Sequence, residues 1–333
     1  MKRRRFLVTG GTGFIGSALV LRLVREGHFV RVLDNDLRGV QKRLEPVSSE
    51  IEMISGDIRD RAIVDKALTG IETVCHLAYL NGTEFFYEKP ELVLDIGVKG
   101  MVNVIDGCID RGVKELVLAS SSEVYQTPPV VPTDEAVPLS VPDPLNPRYS
   151  YGGGKIICEL MAINYGRKYF DRVLIFRPHN VYGPDMGWEH VIPQMTVRIK
   201  EICDASAERR IECPIQGTGN ETRAFVFIDD FIDGLMLVLE KGEHLGIYHI
   251  GTMDEVPMGK LAEAIARIFD REVRLLSGKA PAGGTPRRCP DISKLRKLGY
   301  SPRVFLEEGL KTTVSWYVNN LAEMPARRIR SGL

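Results

Sequence analysis

The run Thr9-Gly10-Gly11-Thr12-Gly13-Phe14-Ile15-Gly16 constrains this chain more than any other stretch. The apolar segment Phe6-Leu7-Val8 precedes it. Phe14, Ile15, Leu19, Val20, Leu23 and Val24 then recur at helical spacing until Gly27, which predicts strand, glycine turn and helix in that order. This is the context of a dinucleotide-binding βα unit. Gly10 suits a tight turn, Gly13 a backbone that approaches a pyrophosphate, and Gly16 a helix packed close to its strand. Phosphates would meet the free N–H groups of the first turn, at Phe14 and Ile15, where the helix dipole is positive. The spacing is GxxGxxG rather than GxGxxG, and a glycine-rich turn without a ligand is the alternative at this point.

Two strand ends add to it. Val30 to Leu33 reads as a second strand, and Asp34 follows it about twenty residues after the glycine turn. A carboxylate there accepts the ribose hydroxyls and repels a 2′-phosphate, so it favours NAD over NADP. Asn35 lies next to it, and the nearby Arg38, Lys42 and Arg43 could soften the preference. A third strand, Ile51 to Ile54, leads to Asp57-Ile58, which could hold the adenine. Asp57 could equally cap a helix starting near Arg59.

The remaining pattern alternates: helix over Arg61 to Leu68, strand over Glu72 to Ala78, long helix over Pro90 to Arg111, strand over Lys114 to Ser120. Repeated βα units imply an α/β fold, a Rossmann-type doubly wound parallel sheet with a smaller mixed C-terminal substrate domain. Ligands in such sheets bind beyond the carboxyl ends of the strands, which directs attention to Leu77-Ala78 and to Ser120 through Tyr125. His76 reads as a packed strand residue, and Tyr79 to Tyr87 as a loop over the site. After a proline-rich loop comes Tyr151-Gly152-Gly153-Gly154-Lys155. Tyr151 and Lys155, four apart, share one helix face. An ammonium there favours a phenolate, and a strand-end serine could bond the same substrate oxygen, giving a device that abstracts a hydroxyl proton. Three glycines inside a helix cost about 1 kcal/mol each, which predicts a close approach of backbone or ligand.

Composition sets limits. The 333 residues carry 44 Lys+Arg and 44 Asp+Glu, so no excess charge points to nucleic acid or an acidic membrane. The six cysteines form no CxxC and no Cys/His cluster. That excludes an obvious zinc site and leads to the expectation of a reducing, cytoplasmic setting without a metal. No apolar run reaches membrane-spanning length.

These motifs resemble the extended short-chain dehydrogenase/reductase family, in its nucleotide-sugar epimerase/dehydratase group of UDP-glucose 4-epimerase, UDP-glucuronate decarboxylase and 4,6-dehydratase relatives. The resemblance rests on TGGTGFIG at 9–16, Asp34, Asp57-Ile58, His76-Leu77-Ala78, SSSEVY at 120–125, YxxxK at 151–155 and RPHNVYGP at 177–184. It continues through QGTG at 216–219, TRAF at 222–225, Asp229-Asp230 and RRCPDI at 287–292. It implies a NAD enzyme in which Tyr151 takes the proton of a sugar 4-hydroxyl and Lys155 binds the nicotinamide ribose. Ser121 would bond O4, Glu123 would work near C5, and Asn180, Arg223 and Arg288 would hold a diphosphate. Trp188 would stack on the ligand or anchor its loop. Two departures stand out: Gly97 where relatives carry Asn, and glycines at 152–154 where they carry small residues.

The outcome expected by base rate is 4-epimerisation. Glu123, with Pro147-Arg148 and TRAF, looks instead like a decarboxylase or dehydratase, although Ser122 replaces the Asp of the dehydratases. A ketoreductase using NADPH and a non-catalytic NAD-sensing protein are the other readings. The expected layout is a NAD domain over 1–180 with 225–249 returning to it, a nucleotide-sugar domain over 181–224 and 250–320, and a tail over 321–333. The resemblance also implies a homodimer.

Overall fold

The computed structural model describes residues 3–279 and 285–325; the final residues of the expected tail, 326–333, lie outside them. The apolar runs form one sheet of seven strands, all parallel. They are Arg5–Thr9 (β1), Phe29–Asp34 (β2), Ile51–Ser55 (β3), Thr73–His76 (β4), Glu115–Ala119 (β5), Arg172–Pro178 (β6) and Gly246–Ile250. The order across the sheet is β3, β2, β1, β4, β5, β6 and then Gly246–Ile250, so the direction of winding reverses between β1 and β4. Phe6 and Val8 enter one apolar cluster while Leu7 enters the other, the period-two alternation of a strand covered on both faces.

Helices Phe14–Arg25 (α1), Arg61–Leu68 (α2), Thr83–Glu88 (α3), Pro90–Leu94 (α4), Gly100–Arg111 (α5) and Ser150–Tyr169 (α6) connect and flank these strands. Two elements differ from expectation. The loop at 79–87 contains the short helix α3, and the helix predicted over 90–111 is interrupted by a π turn at Asp95–Lys99. The widened turn brings the Gly97 carbonyl to Cys158 on α6, whose thiol donates to it at 3.6 Å. The helix beginning at Ser293 stops at Arg296, and Gly299 turns the chain with φ +103°. On α6, Ile157 and Leu160 are exposed.

Beyond the main sheet, Thr222–Ala224 pairs antiparallel with Glu255–Pro257 and parallel with Arg287–Arg288. The register sets Arg223 beside Arg288. Arg210–Ile215 pairs with Glu272–Ser277. Helices Val191–Ala205 and Leu306–Asn319 pack in the same region.

A buried polar chain ties α6 to the sheet. Arg177 on β6 holds the Glu159 carboxylate with two bonds, Nε to Oε1 at 2.8 Å and Nη2 to Oε2 at 2.6 Å, and both side chains are 2% exposed. The Ser120 hydroxyl donates to the same carboxylate. Arg177 also donates to the Tyr125 phenol, which meets His249 Nε2 at 2.6 Å. Removing one member strands a buried charge. Glu159→Leu is therefore expected to cost about 3–5 kcal/mol in urea unfolding, and Glu159→Leu with Arg177→Met to cost clearly less.

Candidate active site

The cofactor end is built by backbone proximity. Gly10 has φ +73°, and a Cβ on it would lie 2.7 Å from Ala78 N; one on Gly16 would lie 2.1 Å from Gly10 O. Both glycines are demanded by the fold itself. A Cβ on Gly13 would meet only Gly10 O, at 3.2 Å. Gly13 is the N-cap of α1 without a side-chain cap, so the orphan N–H groups of the first turn face the cleft.

Asp34 closes this end. Its carboxylate accepts from Thr12 N and from Asp36 N, each at 3.0 Å. Asn35 donates to Asp57 at 3.0 Å, and the Arg59 guanidinium donates to Asp57 at 2.8 Å. That arginine, working against burial, holds the Asp57 carboxyl below the usual range. The helix N-cap is not Asp57 but Asp60, which accepts from Ala62 N and Ile63 N. The cations that could have favoured a 2′-phosphate are engaged elsewhere: Arg38 with Glu189, Lys42 with Glu323 and Arg43 with Asp185. Asp57, Ile58, Leu77 and Ala78 line the same pocket as Gly10, Gly13, Asp34 and Asn35. The glycine cradle, the fixed carboxylate and the engaged cations fit a dinucleotide with free ribose hydroxyls.

The chemistry-bearing end lies where β5 stops. Ser121 caps the turn Ser122–Tyr125, its hydroxyl accepting from Glu123 N at 3.1 Å. The Tyr151 phenol stands near the same side chain; burial pushes that phenol above its ordinary value and Ser121 opposes the push. Lys155 was expected to lower the phenol. Instead its Nζ donates to Ala119 O at 2.6 Å and sits 4.1 Å from the Tyr79 ring centroid, against 5.8 Å from that of Tyr151. Burial lowers Lys155 itself to about 8. His76 is buried, and its Nδ1 meets Thr9 Oγ1 at 2.8 Å.

The glycines of α6 now have reasons. A Cβ on Gly152 would lie 2.3 Å from Gln126 Nε2 and 2.8 Å from Glu123 O, and one on Gly154 would lie 2.1 Å from Tyr79 Oη. Gly153 meets only Val141, at 3.5 Å, an ordinary contact.

The third group surrounds Glu123. Arg288 donates to its carboxylate at 2.7 Å, and Arg148 is 4.0 Å away. Burial pushes Glu123 up, but Arg288, Arg148 and Arg223 together hold it below the usual carboxylate range. Burial and the charge of Arg288 depress Arg223 to about 10; its guanidinium donates to Thr222 O and Thr285 O. The Nε atoms of Arg148 and Arg288 are buried without a partner. Asn180, at φ +42°, donates to Ala224 O at 3.0 Å. Trp188 packs on Tyr317, with centroids 4.8 Å apart, and on Trp316 at 6.1 Å; it anchors its loop while lining the cleft.

Gly13, Ser121, Glu123, Tyr151, Lys155, Asn180 and Arg288 border one cleft of about 900 Å³. Phe86, which stacks on Tyr151 at 4.9 Å, and Tyr79 had no motif to mark them. The glycines at 97 and 154 were the available signal. Among the described residues no group of His, Cys, Asp and Glu is placed to hold a metal, and no helix is long and apolar enough to cross a membrane.

A family model described as the NAD dependent epimerase/dehydratase family matches residues 6–251. UDP-glucuronic acid decarboxylase 1 of Arabidopsis thaliana is 31% identical over 96% of this chain and 71% of its own length. A putative UDP-glucose 4-epimerase of Methanocaldococcus jannaschii is 32% identical over 94% and 98%. Among solved structures, a dTDP-glucose 4,6-dehydratase of Streptomyces venezuelae with NAD bound superposes with a TM-score of 0.83 at 30% identity, covering 96% of this chain and 98% of that one. The cofactor of this chain is NAD. Asp34→Asn is expected to weaken NAD about 10- to 100-fold in calorimetric titration, the size of losing a bond to a charged acceptor, while the affinity for NADP falls less.

Proposed function

The chain belongs to the NAD-dependent epimerase/dehydratase family, and on that premise we propose that it oxidises C4 of a nucleotide-diphosphate sugar, acts on the 4-keto sugar and reduces it again. The observation that carries this reading is that Ser121, Tyr151 and Lys155 border one cleft at the end of β5, with Tyr151 and Lys155 on one helix face. NAD, when bound, supplies the oxidising power by accepting the C4 hydride and returning it. Tyr151 Oη takes the proton of the C4 hydroxyl, and Ser121 Oγ holds O4. Lys155, an ammonium below about pH 8, binds the nicotinamide ribose in this reading, with one of its donors already held by Ala119 O.

The substrate class we assign is a nucleotide-linked uronic acid, and its fate is decarboxylation. Arg288 bonds the Glu123 carboxylate and lines the cleft, Arg148 lies 4.0 Å from that carboxylate, and Arg223 pairs in register with Arg288, so positive charge exceeds negative here. A second anion therefore suits this end of the cleft, because bidentate guanidinium groups are matched to carboxylate and phosphate oxygens. With C4 oxidised, the C6 carboxylate becomes a β-keto acid. The C5–C6 bond breaks, CO2 leaves, and the electron pair moves into an enolate whose O4 is held by the donors Ser121 and Tyr151. C5 then takes a proton from solvent before C4 is reduced. Ser122, buried beside Glu123, offers no general acid for the loss of water that a 4,6-dehydratase requires. Epimerisation at C4 is the second reading. It is favoured by the width of the cleft, about 900 Å³, and it makes Glu123 a positioning partner of Arg288.

Proton NMR in D2O tests both readings. Incubated with UDP-glucuronate, the holoenzyme is expected to give a nucleotide pentose with one deuterium at C5. Tyr151→Phe is expected to reduce the rate about 10²- to 10⁴-fold with NAD still bound. Conversion of UDP-glucose to its C4 epimer without deuterium, and no reaction of the uronate, would put epimerisation first.

A further inference from the structure

Tyr79 fills a slot that two glycines leave open. It follows β4, and its ring enters between the π turn and α6. A Cβ on Gly97 would lie 2.1 Å from Tyr79 Cζ, and one on Gly154 would lie 2.1 Å from Tyr79 Oη. Any side chain at either position would evict the ring. Glycine is the poorest helix former after proline, so its presence on both walls calls for a reason, and the ring is what the walls enclose.

We propose that Tyr79 is a positioning residue for the catalytic pair: clamped between Gly97 and Gly154, its ring seats the Lys155 ammonium on its face and braces the Tyr151 ring at a right angle. This rests on the reading of Tyr151 and Lys155 as the proton-handling pair. The Lys155 Nζ lies 4.1 Å from the Tyr79 centroid, within cation–π range. The Tyr79 and Tyr151 centroids are 5.1 Å apart with planes at 85°, a favourable edge arrangement. The Tyr79 hydroxyl is buried without a hydrogen-bond partner, so the ring rather than the hydroxyl holds the position.

Of the other groups near Lys155, Cys158 and Glu159 favour its charged form, and burial outweighs both. His76 on β4 is kept neutral, lowered to about 3 by burial and by Lys155. The Cys158 thiol on α6 is raised to about 11, chiefly by burial. Glu159 is engaged by Arg177 and Ser120. Of the three ammonium donors, one goes to Ala119 O. Against the burial that drives Lys155 toward the neutral amine, the π face of Tyr79 favours the charged form.

The test reads Lys155 directly, in the NAD-bound enzyme carrying [13Cε]lysine, with its signal assigned by Lys155→Arg. The π face stabilises the ammonium, so its loss must lower the titration midpoint. Tyr79→Leu is expected to lower it by about one pH unit, and Tyr79→Phe, which keeps the ring, to leave it within about 0.3. An unchanged midpoint in Tyr79→Leu, or an equal fall in Tyr79→Phe, would overturn the proposal. A second pair addresses the slot. Gly97→Ala is expected to lower the melting temperature and Gly97→Ala with Tyr79→Leu to recover it, whereas additive losses would refute the enclosure. Neither measurement uses a sugar, so a failure of the proposed reaction would leave both readable.

Discussion

The Glu159–Arg177 pair is the contact on which the site depends. Taking two charges out of water costs several kcal/mol per ion, and only good geometry with further hydrogen bonds offsets it. Here the guanidinium grips the carboxylate at 2.6 and 2.8 Å and the Ser120 hydroxyl takes part. One carboxylate thus joins α6 to the ends of β5 and β6. Glu159 follows Lys155 by one helical turn and Tyr151 by two, so the rotation of α6 that this pair fixes is also the rotation that aims both residues. Ser121 follows Ser120 directly. The meeting of Ser121 and Tyr151 at the cleft is therefore a consequence of how the helix is fastened, two turns away.

Electrostatics divides the cleft in two. At the NAD end a carboxylate is held by backbone N–H groups, and the nearby cations are drawn away to acidic partners. At the sugar end arginines outnumber carboxylates, and the strand register that sets Arg223 beside Arg288 makes each raise the need for an anion. Between them burial acts on Tyr151 and Lys155 in opposite directions, raising the phenol and lowering the ammonium.

Strands β1 to β5 of the main sheet were readable because they are apolar runs between glycine or aspartate stops, and the helix at 61–68 because its period is regular; β6 and the strand Gly246–Ile250 were not singled out. The part that carries Arg223 and Arg288 was harder. Its pairings include strands of two and three residues, too short to show a period. The π turn was invisible, since a change from i+4 to i+5 bonding leaves no residue signature. The direction of Lys155 could not be read either: helical spacing gave a shared face with Tyr151, but the Ala119 carbonyl and the Tyr79 ring decide where the ammonium rests. Asp57 and Asp60 are equally plausible caps by type, and backbone geometry chose Asp60. The glycines at 97 and 154 looked like departures from the relatives until Tyr79 was seen to fill the space.

The central claim is that hydride leaves C4 and returns to it. Its most direct test uses a nucleotide uronate carrying deuterium at C4. The account predicts that turnover slows and that the product keeps the deuterium at C4, with the enzyme ending in its oxidised NAD form. Product formed at an undiminished rate, or with the label lost to solvent, would contradict it.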